Sequence, residues 1–232
     1  QDLRQLVEPV NARHLLDHVS LAGDVAPAEG RRLDLQPVVC IGDLKLERVQ
    51  DLALPRPGVL SNAILVVGAS LLTALAAQLA VPVPWSPVPI TGQTFVVLLS
   101  GAVLGARRAF LAQALYLAEG ALGLPVFAAG GAGAATFAGP TAGYVFAFPL
   151  AAALTGALAE RGWDRHFGTM LVAMLVGSTV VFALGLAVLA GFVPSDRLLA
   201  AGLYPFIPGD IVKARLAALA FPAAWRWARS HG

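Results

Sequence analysis

Residues 60–81 and 167–190 run without a single charged side chain. Each run is long enough for a helix to cross a hydrocarbon core of about 30 Å, which takes about 20 apolar residues. Leu, Ala and Val fill these runs without the alternation of a barrel strand, so an α-helix is the form that satisfies their backbone groups inside lipid. Composition agrees, with 57% hydrophobic and 13% charged residues and a mean hydropathy of +0.73. The chain is read as an all-α polytopic membrane protein with the lipid bilayer as its solvent.

From residue 59 onward the apolar pattern predicts six helices: about 60–81, 93–105, 107–123, 143–160, 167–190 and 209–228. Pro82 stops the first. The second is shorter than a normal span. Backbone ends at membrane depth are tolerated only where protein or a cavity covers them, so this region is expected to line something. The six helices define the membrane domain, residues 59–232.

Charge divides the chain. Residues 1–58 hold nine of the fourteen acids and seven of the sixteen basic residues, which leaves a net charge of +4 in 59–232. The first part is punctuated by proline and lacks a basic head followed by an apolar run, so it does not read as a signal peptide. It is read as a polar, peripheral N-terminal extension of unassigned role. The chain opens on Gln1 and its first methionine is Met170, so this extension is also open to being a trimmed or wrongly translated upstream piece. His14 and His18 stand four residues apart, but without a glutamate between them or a third ligand they are assigned to chance.

Basic residues flanking the spans set the orientation. With six helices both termini share one side, the side of Arg107, Arg108, Arg161, Arg165, Arg226 and Arg229, whereas the other holds Arg197 beside Asp196. Both termini are therefore expected in the cytoplasm. Trp163, Trp225 and Trp227 fall near helix ends and read as interfacial anchors. Segments 82–93, 124–142 and 191–210 then gather on the outer side, where loops can cover a site. The glycines at 130, 131 and 133 lack both the Gly-Lys-Ser/Thr ending of a phosphate loop and the spacing of a dinucleotide fingerprint.

Inside this apolar background, Pro208-Gly209-Asp210-Ile211-Val212-Lys213 places an acid and a base three residues apart. Residues at i and i+3 share a helix face. Charges at membrane depth cost about 2.5–3.5 kcal/mol each, so the pair is either a ligand site or a neutralised ion pair joining two helices. Glu119, in the third helix, is open to a proton-relay role or a structural contact. Catalytic and metal constellations are missing from the pattern. No Ser/His/Asp set faces one cavity and no metal-ligand spacing occurs in the membrane part. The chain is read as a non-enzyme that needs no metal and no cofactor. Scattered single basic residues do not form a nucleic-acid footprint, and the lone Cys40 excludes an internal disulfide.

Four blocks, in order, carry a resemblance: Pro82-Val83-Pro84-Trp85-Ser86-Pro87-Val88-Pro89-Ile90-Thr91-Gly92-Gln93-Thr94; Tyr116-Leu117-Ala118-Glu119-Gly120-Ala121-Leu122-Gly123-Leu124-Pro125-Val126-Phe127; Gly139-Pro140-Thr141-Ala142-Gly143-Tyr144; and Pro205-Phe206-Ile207-Pro208-Gly209-Asp210-Ile211-Val212-Lys213. Over about residues 60–229 the chain resembles the BioY biotin transporters. Thr91-Gly92-Gln93-Thr94 departs from the Thr-Leu-Gln-Thr common in that family, and residues 1–58 have no counterpart there.

The resemblance implies a six-helix S-component of an energy-coupling factor transporter, multi-pass in a bacterial or archaeal plasma membrane, which captures biotin from outside. It implies as partners a transmembrane coupling subunit and ABC-type ATPases. An S-component for another vitamin, and a biotin transporter that works without ATPases, share much of this pattern. The coupling subunit is expected to touch small residues on the first helix, for which Ala69, Thr73 and Ala77 stand at i, i+4 and i+8. Biotin offers ureido N–H donors, a carbonyl, apolar rings and a carboxylate. Asp210 and Lys213 are matched to its polar ends, Gln93, Thr141 and Tyr144 to further hydrogen bonds, with Tyr144 also open to being an interfacial anchor, and Trp85 or Phe127 to the bicyclic ring.

Overall fold

A computed structural model describes residues 58–231 of the protein, with side chains through residue 227. The reading of residues 1–58 as a separate extension falls, but for Gly58, outside the described part. The described elements are, in order, α1 (Val59–Gln78), β1 (Ala80–Val81), β2 (Ile90–Thr91), α2 (Gln93–Leu104), α3 (Ala106–Ala121), α4 (Ala142–Glu160), α5 (Phe167–Leu189), the five-residue α6 (Leu198–Gly202) and α7 (Ile207–His231). Among these, α1, α4 and α5 are long and apolar enough to cross a membrane. The long helices fall within a few residues of their expected positions.

α4 is the central helix, with α2, α3 and α5 packed on it, while α1 lies on α3 and α7 on α5. Its residues explain this place. Ala147, Ala151 and Ala152 are buried and almost without side-chain volume, so neighbouring backbones approach closely. At Gly156 a methyl group would run into the backbone of Gly105 and Ala106, the corner joining α2 to α3. Gly105 itself turns that corner with φ of 79°, a conformation open to glycine at little cost.

α1 shows how the solvent shapes the exterior. Leu60, Ile64, Leu71, Leu72, Leu75 and Leu79 are exposed. Such a surface is a liability in water and an ordinary one against lipid tails. Along its other face Ala69, Ser70, Thr73, Ala76 and Ala77 are buried.

Two of the expected outer loops carry local order. β1 and β2 pair antiparallel, Ala80 opposite Thr91 and Val81 opposite Ile90, and so pinch off the proline-rich segment between them. Residues 124–142 contain two 3-10 turns, Ala128–Gly130 and Ala134–Ala138. α7 begins with Pro208 in its first turn, where proline has no amide bond to lose, and keeps Pro222 inside. Trp225 is not an interfacial anchor. It is buried, and its Nε1 donates to Asp164 Oδ2 at 2.6 Å while the Arg165 guanidinium lies 5.1 Å from its ring centre.

Candidate functional site

A cavity of about 200 Å³ opens where β2, the first turns of α2, α4 and α7, and the glycine-rich loop converge. Its apolar wall includes Phe127, Phe148, Phe182 and Phe206, and its polar groups include Thr91, Gln93, Thr94, Thr141, Asp210 and Lys213. Convergence of segments so far apart in sequence follows from the helix directions. The end of α3, the start of α4 and the start of α7 all reach the same end of the bundle.

Asp210 and Lys213 share a face of α7, yet each is held by its own neighbour rather than by the other. Ser178 Oγ, on α5, donates to Asp210 Oδ1 at 2.9 Å. Lys213 Nζ donates to the Thr91 carbonyl at 2.9 Å and to Thr94 Oγ1 at 3.0 Å. An ammonium carries three donors and a carboxylate two acceptor oxygens, so both retain capacity toward the cavity. Asp210 also lies in the first turn of α7, where the helix dipole favours a negative charge.

Gln93 is buried and its amide is engaged on both sides. Thr91 Oγ1 donates to Gln93 Oε1 at 3.0 Å, Gln93 Nε2 donates to Tyr116 Oη at 2.5 Å, and Tyr116 Oη donates to the Val126 carbonyl at 3.1 Å. This chain of bonds ties the second loop to α2 and α3. It holds Phe127, whose ring meets Tyr116 edge-on at 5.5 Å between centres. Thr141 lines the cavity and its carbonyl accepts from Tyr144 N and Val145 N at the start of α4. Tyr144 is 7% exposed, so it is a wall of the cavity and not an interfacial anchor, and its Oη donates to the Gly202 carbonyl at 2.8 Å. Its ring occupies the space that a side chain at Gly185 would need.

Two expectations are corrected. Trp85 is 69% exposed and does not line the cavity. Trp85 sits in a turn closed by Ser86 N donating to the Val83 carbonyl at 3.1 Å, and Ser86 turns inward instead. Ser86 Oγ donates to the Ala201 carbonyl at 2.6 Å and accepts from Val88 N at 3.0 Å, which leaves Trp85 pointing away. Ala69, Thr73 and Ala77 do share one face of α1, but that face is the packed one, with Thr73 and Ala77 fully buried. Small side chains let α1 close on α3 within the same chain, where Gln113 Nε2 donates to Thr73 Oγ1 at 3.1 Å. Glu119 makes an interhelix contact, accepting from Ser70 Oγ on α1.

Ser178, Thr91 and Thr94 are site residues that the sequence reading did not single out. Ser178 had a signal, a hydroxyl in the middle of an apolar run, where it needs a partner. Thr91 and Thr94 lay within the first matching block, but only the fold brings them to Lys213.

An apolar cavity that combines one acid, one base and fixed hydroxyl and amide groups, set in a bundle of apolar helices, defines a helical membrane protein with a pocket for a small ligand. The BioY family model matches residues 48–230. The chain is 41% identical over 148 residues to the probable biotin transporter BioY of Pyrococcus horikoshii, covering 64% of this chain and 86% of that protein. It is 41% identical over 140 residues to the biotin transporter BioY of Thermotoga maritima, covering 60% and 82%. The crystal structure of the S-component for biotin from an ECF-type ABC transporter matches with a TM-score of 0.62 and 27% identity, over 75% of this chain and 93% of that one. This chain belongs to the BioY family.

Proposed function

We infer that this protein is the biotin-binding S-component of an energy-coupling factor transporter, taking up biotin through the cavity described above. The observation that carries this reading is the cavity's content: a carboxylate and an ammonium on one face of α7, each with hydrogen-bonding capacity left over, in a largely apolar pocket. Asp210 supplies an acceptor for the ureido N–H groups, and Lys213 supplies a donor for a ligand oxygen. Phe127 and its aromatic neighbours cover the apolar rings, and Tyr144, Thr141 and Gln93 fix the shape of the pocket. Binding is reversible and makes or breaks no covalent bond.

Energy for release comes from partner subunits, a transmembrane coupling protein and ABC-type ATPases. The arginines support an orientation with the cavity outside. Arg107, Arg108, Arg161 and Arg165 lie at helix ends away from the cavity, and Arg197 lies on the loop leading to α6, so the positive-inside bias puts both termini in the cytoplasm.

Titration calorimetry of the purified full chain in detergent tests the reading. Saturable binding of biotin without ATP is expected. Absence of heat and saturation with biotin, together with binding of a different vitamin, would overturn it.

A further inference from the structure

The ring of Phe127 enters a slot that α3 leaves open for it. A Cβ at Gly120 would collide with the tip of this ring, its Cζ and both Cε carbons. One turn earlier on the same face of α3, Tyr116 meets the ring edge-on at 5.5 Å between centres, and Phe137 does the same from the glycine-rich loop, also at 5.5 Å. Phe127 is buried and lines the cavity, whereas Gly120 and Tyr116 are not part of its wall. Anything these two do for a ligand passes through the Phe127 ring.

The backbone gives no other reason for a glycine at this position. Gly120 lies inside α3 without a positive φ, so other residues fit its conformation, and in a helix alanine is favoured over glycine by about 0.8–1.0 kcal/mol. What the position uses is the missing side chain. The loop that carries Phe127 is tied down at its backbone, by Gly133 N donating to the Gly120 carbonyl at 2.8 Å and by Gln78 Nε2 donating to the Phe127 carbonyl at 3.3 Å. With Tyr116 and Phe137 on its flanks, the side of the ring left open is the cavity. We propose that Gly120 is a specificity-determining position, which by lacking a side chain seats the Phe127 ring back against α3 and so sets the width left for a ligand with a fused two-ring head. This role deepens, and rests on, the reading of the cavity as a biotin site.

The full chain, purified in detergent, is titrated with biotin and with desthiobiotin, which keeps the ureido ring and the acid chain but lacks the sulfur ring. Gly120→Ala is expected to weaken biotin binding about tenfold as the overpacked ring turns inward, and desthiobiotin binding by less, since the narrower head leaves the ring room. Phe127→Leu supplies the control, because leucine ends at its δ carbons and lacks the three atoms that meet the slot. The double variant should bind biotin within about twofold of Phe127→Leu alone, the two changes being coupled through one contact. Losses that multiply in the double variant, an equal loss of both ligands in Gly120→Ala, or biotin binding unchanged in Gly120→Ala overturn the proposal. If Gly120→Ala alone does not fold, recovery of folding and binding on adding Phe127→Leu supports it, and no recovery overturns it. Failure of the parent chain to bind biotin overturns the reading of the site as well, whereas the other results, with the parent binding, leave that reading standing.

Discussion

Ser178 and Asp210 join α5 to α7 by a hydrogen bond of 2.9 Å at the edge of the cavity. The bond occupies one carboxylate oxygen and fixes the side chain's direction. Asp210 is thus positioned by a neutral hydroxyl, and Lys213, on the same face of α7, is held by the Thr91 carbonyl and Thr94 Oγ1. Each group keeps hydrogen-bonding capacity toward the cavity that both line.

Asp210→Asn and Lys213→Met are each expected to weaken biotin binding by about 1.5–3 kcal/mol, the worth of a hydrogen bond to a charged group. Ser178→Ala, which only releases the Asp210 carboxylate, should cost less, about 0.5–1.5 kcal/mol. Calorimetric titration of the three variants, with circular dichroism as a check on folding, gives the order. A larger loss from Ser178→Ala than from Asp210→Asn would mean that the carboxylate acts only in holding α5 to α7.

Tyr144 fits its slot because position 185 has no side chain, its ring standing where a Cβ would be. Gly185→Leu should therefore displace the ring, break its bond to the Gly202 carbonyl and cost about 1–3 kcal/mol of stability as overpacking. Biotin affinity should fall with it. A melting curve and a binding isotherm equal to those of the parent protein would show that the slot is not needed.

The inward placement of the small-residue stripe on α1 has a mutational signature. Ala77→Leu, at a fully buried position, should destabilise the isolated protein by about 1–3 kcal/mol. Leu72→Ala, on the exposed face, should change stability by about 0.5 kcal/mol or less. Thermal melts in detergent without any partner subunit separate the two. Equal tolerance at both positions would place the stripe at an outer surface after all.

Asp164 is 2% exposed, and burial pushes its carboxyl above the ordinary range against the bond from Trp225 and the nearby Arg165. The folded protein then keeps this proton at pH values where the unfolded chain, with a value of about 3.9, has lost it. Stability from this group is present at low pH and declines as pH rises from about 4 through the raised folded value, with no further change above it. Asp164→Asn should flatten that decline while keeping an acceptor for Trp225 Nε1. Melting temperatures taken from pH 4 to 7 on both proteins give the comparison, and identical slopes would remove Asp164 as the source.

Local pattern was enough for the helices and for part of the cavity lining. Uninterrupted apolar length determined where α1, α4 and α5 lie, because lipid leaves the backbone no other way to satisfy its amides. A charged pair in so apolar a chain marked Asp210 and Lys213, since charge at that depth is too costly to be incidental. Tertiary structure decided what periodicity leaves open. Spacing of i, i+4 and i+8 puts Ala69, Thr73 and Ala77 on one face but carries no information on whether lipid, a partner or the same chain covers it, and close packing on α3 settled that. Trp85 and Ser86 are adjacent in sequence, and the bond from Ser86 to Ala201, 115 residues away, turned the serine in and the tryptophan out. Likewise the acid and base stand three residues apart on one helix, whereas their partners Ser178, Thr91 and Thr94 come from other elements, and only the folded chain brings such distant groups within hydrogen-bond distance.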